Sequence, residues 1–382
     1  AGTGKSTMLV GNGKNKGIID TINKYNKTYV LTAPTHKATH NQKFIEMGIE
    51  SQTIHSFLGL KVGSPTPKDP FFQSCIGLNY LLIDECSMID KTIFYHLIKI
   101  KSLYPKLAIG LIGDPYQLPP VEIGVKAVYN KMTKLSIVKD LTDYNRILLK
   151  KNHRSSVDGE AMFKLFNDIL KQQDTKNELF KKIRDTPATL ESIQLTRTHI
   201  CWTNATCDKI NKMFKDMVHY LTPQLESKKM KAFYIPDKKT KKLKKHTYNV
   251  DIIWNGARII CNKTDPDTEF YNNQEFKIRE WTEDTIELED NITKVKYEID
   301  NKVLANFKYA FAITINKAQG STIDEKFMIW DWDKMGFSTN LKYTAVSRAT
   351  KSEDVKVCSR MDEVLLNRII DGVSNEIKKS NV

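Results

Sequence analysis

The scarcities of this sequence narrow its class before any motif is read. Six cysteines are scattered through 382 residues, at positions 75, 86, 201, 207, 261 and 358, and no two form a C-x-x-C pair. That is neither a zinc pattern nor the disulfide framework of a secreted protein, and it fits a reducing, intracellular setting. No apolar run approaches the ~18 residues that a membrane-spanning helix needs, and no signal peptide is visible. Acidic residues are in deficit: 45 Asp and Glu face 59 Lys and Arg, a net charge of +14. With a pI near 9.2, this imbalance points to a polyanionic partner, nucleic acid ahead of a membrane surface. The length allows two or three domains, each with its own core.

The densest chemical signal is at the start. Ala1-Gly2-Thr3-Gly4-Lys5-Ser6-Thr7 fits the end of a phosphate-binding loop, G-x-x-x-x-G-K-[ST]. The first glycine of that pattern would lie two positions before Ala1, so a glycine and a feeding strand are expected ahead of it, in a longer chain. Gly2, Thr3, Gly4 and Thr7 would line the phosphates with backbone N–H groups. Lys5 would reach the β and γ phosphates and Ser6 would ligate Mg²⁺. The helix that follows favours anions at its N-terminus. Alone, the stretch also reads as a flexible glycine-rich segment, so partner motifs must decide.

Residues 28–32 read as a buried strand that ends in Ala33-Pro34 and a polar cluster, Thr35-His36-Lys37-Ala38. A helical stretch follows over 39–47, then Thr53-Ile54-His55-Ser56-Phe57. Residues 59–77 carry Pro65, Pro67 and Pro70 and the pair Phe71-Phe72, an inserted excursion with little regular structure. The phenylalanines suit a small core under the loop. Residues 79–83 are a second buried strand, ending in Asp84-Glu85. An Asp there can hold Mg²⁺ through water, and the Glu can orient and deprotonate an attacking water. A third strand, 106–112, runs into Gly113-Asp114-Pro115-Tyr116-Gln117-Leu118-Pro119-Pro120. Gln117 suits a γ-phosphate sensor that leaves the charge balance unaltered. In open α/β sheets ligands bind beyond the carboxyl ends of strands, so these motifs should converge on one crevice.

The second half continues with a helical pattern over 157–172, then a strand at 199–204 leading into a helix over 205–218. Residues 228–245 hold nine lysines and one acid, either a solvated hairpin tip or an arm that tracks phosphates. Short β-type runs at 257–261, 275–280, 285–288 and 294–299 suggest a small barrel. A strand from 309 ends in Asn316-Lys317-Ala318-Gln319-Gly320, and a closing strand (354–358) and amphipathic helix (362–379) complete the chain.

Gly-Lys-Ser (4–6), Ala-Pro-Thr-His-Lys-Ala (33–38), Thr-Ile-His-Ser (53–56), Asp-Glu-Cys-Ser-Met (84–88) and Gly-Asp-Pro-Tyr-Gln-Leu-Pro-Pro-Val (113–121) resemble motifs I, Ia, Ib, II and III of superfamily 1 helicases. The nearest branch is the 5′→3′ one of the RecD and Dda helicases. Asn152-His153-Arg154-Ser155 resembles motif IV, residues 309–322 motif V and residues 341–349 motif VI. Asn316 stands where the family usually has His, so that contact cannot carry charge. The resemblance spans nearly the whole chain, with its motifs in family order.

This likeness implies an α/β fold of two RecA-like P-loop lobes, with an SH3-like β-barrel insert in the second and a short wedge insert in the first. The first lobe would be 1–145, with the wedge at 58–78. The second would be 146–221 and 306–382, with the basic arm and barrel at 222–305. ATP and Mg²⁺ would bind between the lobes. Lys5, Glu85, Gln117, Arg154 and Arg348 would be catalytic, the arginines as fingers worth roughly 10³–10⁵ in rate. Ser6 and Asp84 would hold the metal, and Gly320 would touch ATP. Thr35, His36, Thr53, His55, Phe71, Phe72, Thr314, Asn316 and Lys317 would meet nucleic acid. The partners implied are single-stranded and forked duplex DNA, with replication or recombination proteins. A translocase that does not unwind, and a binding subunit with a degenerate ATPase, are the rival readings.

Overall fold

The buried strands read at 28–32 and 79–83 pair with each other in parallel. In the computed structural model β1 (Tyr29–Ala33), β2 (Gln52–Thr53), β3 (Tyr80–Ile83) and β4 (Ala108–Leu111) form one sheet in the order β2-β1-β3-β4. Every pairing in it is parallel, with Thr32 opposite Ile83 and Ile83 opposite Leu111. The structure describes all residues except 1, 13, 61–65, 121–135, 150–152, 154–158, 222–225, 232, 237–242, 265–269 and 381–382. The chain divides into two compact units. One comprises Ala1–Asn177, Gln319–Thr322 and Ser338–Ser352; the other comprises Glu178–Ala318, Ile323–Phe337 and Glu353–Val382.

The strands of the first unit are apolar at consecutive positions because both faces of the sheet are covered. Leu31 and Leu82 pack with Leu9, Val10, Ile19, Ile22 and Phe44. Leu81 and Ile83 pack with Ile93, Phe94, Leu97 and Ile100. Those last four lie on one stripe of the helix Lys91–Leu103, whose first turn is capped by the Asp90 carboxylate accepting from the Ile93 N–H. The helical stretch at 39–47 is broken into His36–Thr39 and Gln42–Glu46. The Asn41 side chain accepts from the Lys43 N–H and so starts a new helix, a competition with the backbone that asparagine favours.

In the inserted loop the described residues hold one bridge, Leu60 to Pro67, and a 3₁₀ turn, Gln73–Cys75. The two phenylalanines part company. Phe72 is 2% exposed and meets the His96 ring edge-on at 5.9 Å, whereas Phe71 is 64% exposed. Phe72 is therefore corrected from a nucleic-acid contact to a core residue, placed there by a left-handed backbone at φ +49°.

The second unit starts its sheet with β5 (Thr198–Cys201) and then makes a long antiparallel excursion. β6 (Ser227–Lys229) pairs with β9 (Ile252–Trp254), and β7 (Phe233–Pro236) pairs with β8 (Leu243–His246). β10 (Arg258–Cys261), β11 (Glu275–Trp281), β12 (Thr285–Asp290), β13 (Lys296–Asp300) and β14 (Phe307–Tyr309) form a five-stranded sheet in the order β13-β12-β11-β10-β14. Phe276, Ile278, Ile286 and Leu288 point inward at alternate positions, the period of a half-buried strand. The chain then returns through β15 (Ala312–Thr314), β16 (Phe327–Ile329) and β17 (Val355–Val357) to a parallel sheet ordered β15-β5-β16-β17.

An aromatic column joins the excursion to that sheet. Phe214 stacks on Phe311 at 4.8 Å, Phe311 lies parallel to Trp254 within 7°, and Trp254 stacks on Tyr309. The Tyr309 hydroxyl donates to the Ile252 carbonyl (2.7 Å) and accepts from the Ile252 N–H (3.0 Å), so the column ends in a satisfied polar group.

Within that sheet, on β5, His199 is fully buried. Its Nδ1 accepts from the Trp330 indole N–H at 2.9 Å, and its Nε2 donates to the Thr196 carbonyl at 2.8 Å. Burial pulls its pKa from 6.5 down to about 4. The folded imidazole stays neutral while the unfolded one gains a proton below 6.5, so its stability contribution is full above that pH and declines as pH falls toward 4. The loss amounts to about 3 kcal/mol. Denaturant unfolding of the second unit, followed between pH 7 and 4.5, should show this slope in the wild type and a flatter one in His199→Gln.

Candidate functional site

The phosphate-loop segment adopts the geometry its glycines permit. Gly4 sits at φ +78° and begins the helix Lys5–Val10, and Gly2 sits at φ +68°. A Cβ at Gly4 would meet nothing closer than 3.9 Å, so it is the left-handed backbone, not crowding, that calls for glycine. The Gly2 carbonyl accepts from the His153 N–H at 2.7 Å. This brings His153 against the loop; Arg154 lies outside the described residues. Asn41 Nδ2 donates to Ser6 Oγ at 3.3 Å, and Lys43 Nζ donates to Thr7 Oγ1.

At the end of β3 the Asp84 N–H continues the ladder to the Thr32 carbonyl (2.8 Å). Its Oδ1 accepts from the Glu85 N–H at 2.9 Å. Asp84 is 2% exposed. Burial, then the neighbouring Glu85, push its carboxyl above the usual carboxylate range, while Lys5 pulls it back. Glu85 holds a left-handed backbone at φ +48°, a strained position for a residue with a side chain. Its Oε2 is buried and has no hydrogen-bond partner. Two adjoining carboxylates, one destabilised by burial and one with an unpartnered oxygen, fit a hard divalent cation with its water shell. Gly113 completes this corner, because a Cβ there would come within 2.7 Å of Cys86 Sγ.

The Asp114–Leu118 segment is gripped by side chains from far along the sequence. Tyr343 OH donates to Asp114 Oδ2 at 2.7 Å. Asn340 Nδ2 donates to the carbonyls of Tyr116 (2.9 Å) and Gln117 (3.0 Å). Gln319 Nε2 donates to the Leu118 carbonyl (3.3 Å) and stands 3.5 Å from Gln117 Oε1. Gln117 is 3% exposed, so its amide is positioned and shielded from water. Sequence reasoning named none of these three as site residues. Gln319 and Tyr343 lie inside quoted motifs, whereas Asn340 carries no pattern at all. Gly320, at φ +82°, follows Gln319 in the same unit.

Arg348 does not project as a finger in this structure. It is 1% exposed, and its guanidinium donates to the carbonyls of Thr344 (Nε, 3.0 Å) and Ser321 (Nη1, 2.9 Å) and to Ser347 Oγ (Nη2, 2.9 Å). Those bonds satisfy a buried cation that would otherwise be costly.

Four of the nucleic-acid residues expected in the first unit, Thr35, His36, Thr53 and His55, gather at the carboxyl ends of β1 and β2. Thr35 and Thr53 cap the short helices there, accepting from the N–H groups of Ala38 and Ser56. His36 and His55 are exposed beside them. Partial desolvation of the His36 ring, then the neighbouring His40 and His55, lower its pKa and favour the neutral form. In the second unit Thr314, Asn316 and Lys317 lie at the end of β15, with Asn316 exposed and Lys317 Nζ donating to Asn262 Oδ1 at 3.0 Å. Of the lysine run, Lys228 Nζ donates to the Thr282 carbonyl at 2.6 Å, and residues 237–242 lie outside the described residues.

Comparison with known proteins agrees with this geometry. Residues 1–122 match the family model of an AAA domain. An uncharacterized protein of Acanthamoeba polyphaga mimivirus is 25% identical over 252 residues, covering 52% of this chain and 49% of its own. The RecBCD enzyme subunit RecD of Buchnera aphidicola is 24% identical over 429 residues, covering 92% of this chain and 67% of its own. A structure of two coordinating Pif1 helicases at forked duplex DNA has a TM-score of 0.60 at 22% identity, covering 94% of this chain and 86% of its own. Bacteroides Pif1 in complex with ADP-AlF3 and single-stranded DNA has a TM-score of 0.57 at 20% identity, with the same coverage of 94% and 86%. The chain spans about half the length of its mimivirus relative.

The chain shares with these Pif1 structures an α/β fold of two units, each built on a four-stranded parallel sheet, and its first 122 residues match an AAA domain. More particularly, the likeness to Pif1 helicases and to RecD bears out the resemblance to the 5′→3′ branch of superfamily 1 helicases.

The unpartnered Glu85 oxygen has a measurable cost. Without nucleotide or divalent cation, Glu85→Gln should raise stability by on the order of 1 kcal/mol, because one buried negative charge is removed. Thermal unfolding in chelator checks this; an unchanged or lower midpoint would mean that the carboxylate already has its counter-charge.

Proposed function

We propose that this chain is the motor core of an ATP-dependent DNA helicase that translocates 5′→3′ on single strands and separates duplex. The observation that carries the proposal is the assembly in one unit of the Lys5 loop, the Asp84–Glu85 pair and a Gln117 held by Gln319 and Asn340. The solved Pif1 structures with ADP-AlF3 and with single-stranded or forked DNA support the substrate class.

In this reading Gly2, Thr3, Gly4 and Thr7 line the phosphates of ATP, and Lys5 draws charge off the β and γ phosphates. Ser6 and Asp84 would hold Mg²⁺, which supplies charge neutralisation on the phosphate oxygens. Glu85 orients the attacking water and takes its proton. Gln117, fixed through its backbone and its amide, senses the γ-phosphate. Gly320 lets the loop after β15 approach the nucleotide. Arg154 and Arg348 act as fingers; for Arg348 this requires the bonds to Ser321 and Thr344 to be exchanged for phosphate. Thr35, His36, Thr53, His55, Thr314, Asn316 and Lys317 contact the strand, and alternating grip turns hydrolysis into steps.

The lobes keep the bounds that the helicase resemblance implies, which differ from the compact units in that those group residues 146–177, 319–322 and 338–352 with the first. The first runs over 1–145 with the wedge loop at 58–78. The second runs over 146–221 and 306–382. Residues 222–305 form the inserted basic arm and SH3-like barrel, a reading supported by the antiparallel sheet β13-β12-β11-β10-β14. Phe71 remains the wedge residue.

Lys5→Ala should abolish DNA-stimulated ATPase and unwinding while single-strand binding persists, tested on 5′-tailed and 3′-tailed duplexes of DNA and RNA. Near-normal turnover in that variant, or unwinding of 3′-tailed substrate alone, would refute the assignment. Phe71→Ala should keep its melting temperature and ATPase but unwind poorly. Phe72→Ala should instead lose about 3–5 kcal/mol of stability, the cost of a core cavity. Denaturant titration and strand displacement distinguish the two.

A further inference from the structure

Trp202 is an exposed aromatic that neither the core nor the proposed mechanism uses. It follows β5 directly, and β5 lies beside β15 with Cys201 opposite Thr314. The chain leaves β15 into the short helix that carries Asn316 and Lys317. Trp202 and this pair therefore stand on neighbouring strand ends at the carboxyl edge of one parallel sheet, where α/β sheets bind ligands. Trp202 is 41% exposed, whereas Trp254, Trp330 and Trp332 are each 4% exposed or less.

The backbone that carries Trp202 is fixed without the indole taking part. The Thr203 N–H and hydroxyl both donate to Asp331 Oδ2 at 3.1 Å, and the Thr206 hydroxyl donates to Asp331 Oδ1 at 2.9 Å. Asp331 is fully buried. Its carboxylate occupies the start of the helix Asn204–Leu221, so that helix end does not serve a DNA phosphate. What remains for a ligand at this strand end is the indole, on a backbone that costs little to order. A lone exposed ring on the strand end next to the one that carries Asn316 and Lys317 suits a nucleobase more than an apolar protein surface.

We propose that Trp202 is a stacking platform for one base of single-stranded nucleic acid, with Asn316 and Lys317 holding the adjacent phosphates. The assignment rests on the helicase reading above and deepens it. The exposed ring is the surface for the base, and stacking on it is tolerant of sequence because every base has a π-face.

Fluorescence anisotropy with an oligothymidylate, and with an abasic oligomer of equal length, tests this in the full chain. Trp202→Ala should weaken oligothymidylate binding roughly 5- to 150-fold, the range for loss of one stacked base. Trp202→Phe should restore most of that loss. On the abasic oligomer all three proteins should bind alike, with the same salt dependence, which also shows that the alanine variant is folded. Equal binding of oligothymidylate by wild type and Trp202→Ala would overturn the platform, as would an equal loss on the abasic backbone. If the wild type bound neither oligomer, the helicase reading would fall with it; a wild type that binds both and a silent alanine variant would remove only Trp202.

Discussion

The groups that follow β1, β3 and β4 depend on the parallel register that sets Thr32, Ile83 and Leu111 abreast. Because the strands end level, the residues after them leave the sheet at one edge. Asp84 and Glu85 emerge from β3, Gly113 and Asp114 follow β4, and Thr35 follows β1. A shift by one residue would exchange the two faces of β3 and send Leu82 into the cluster that now holds Leu81 and Ile83. The apolar packing on both faces therefore fixes the chemistry at the edge, although none of those leucines and isoleucines belongs to the site.

The strands and the edge were readable in the sequence for the same reason. Runs such as Tyr80 to Ile83 are apolar on both faces only if something covers both, and Asp84-Glu85 after such a run is a chemical signature. The division between Phe71 and Phe72 was not readable, since it turns on one left-handed backbone position. Nor was the grip on Gln117. Asn340 acts through two carbonyl groups more than 200 residues away, and hydrogen bonds to backbone leave no pattern in residue types. Arg348 shows the reverse: its motif was plain, but its burial among Thr344, Ser321 and Ser347 is a property of the packed state.

In the second unit the same logic operates through aromatic rings. The sequence suggested a small barrel from alternating runs, and the antiparallel sheet follows that alternation closely. What periodicity could not show is how the excursion is joined to the parallel sheet. Phe214, Phe311, Trp254 and Tyr309 come from a helix, the return segment, β9 and β14, and each taken alone is an ordinary core aromatic. Their stacking makes the two sheets share one core.

The interleaving of the two units has a topological consequence. Taken in order, the backbone passes from one unit to the other after Asn177, Ala318, Thr322, Phe337 and Ser352. Neither unit is a continuous polypeptide, and the Gln319 and Asn340 that hold the Gln117 segment arrive on short excursions from chain belonging to the other unit. The units are thus stitched rather than linked. A single cleavage would leave other covalent ties in place, and neither unit can be excised as one continuous fragment. Gln319 and Asn340 are joined to the second unit's chain by peptide bonds at both ends of the short segments that carry them.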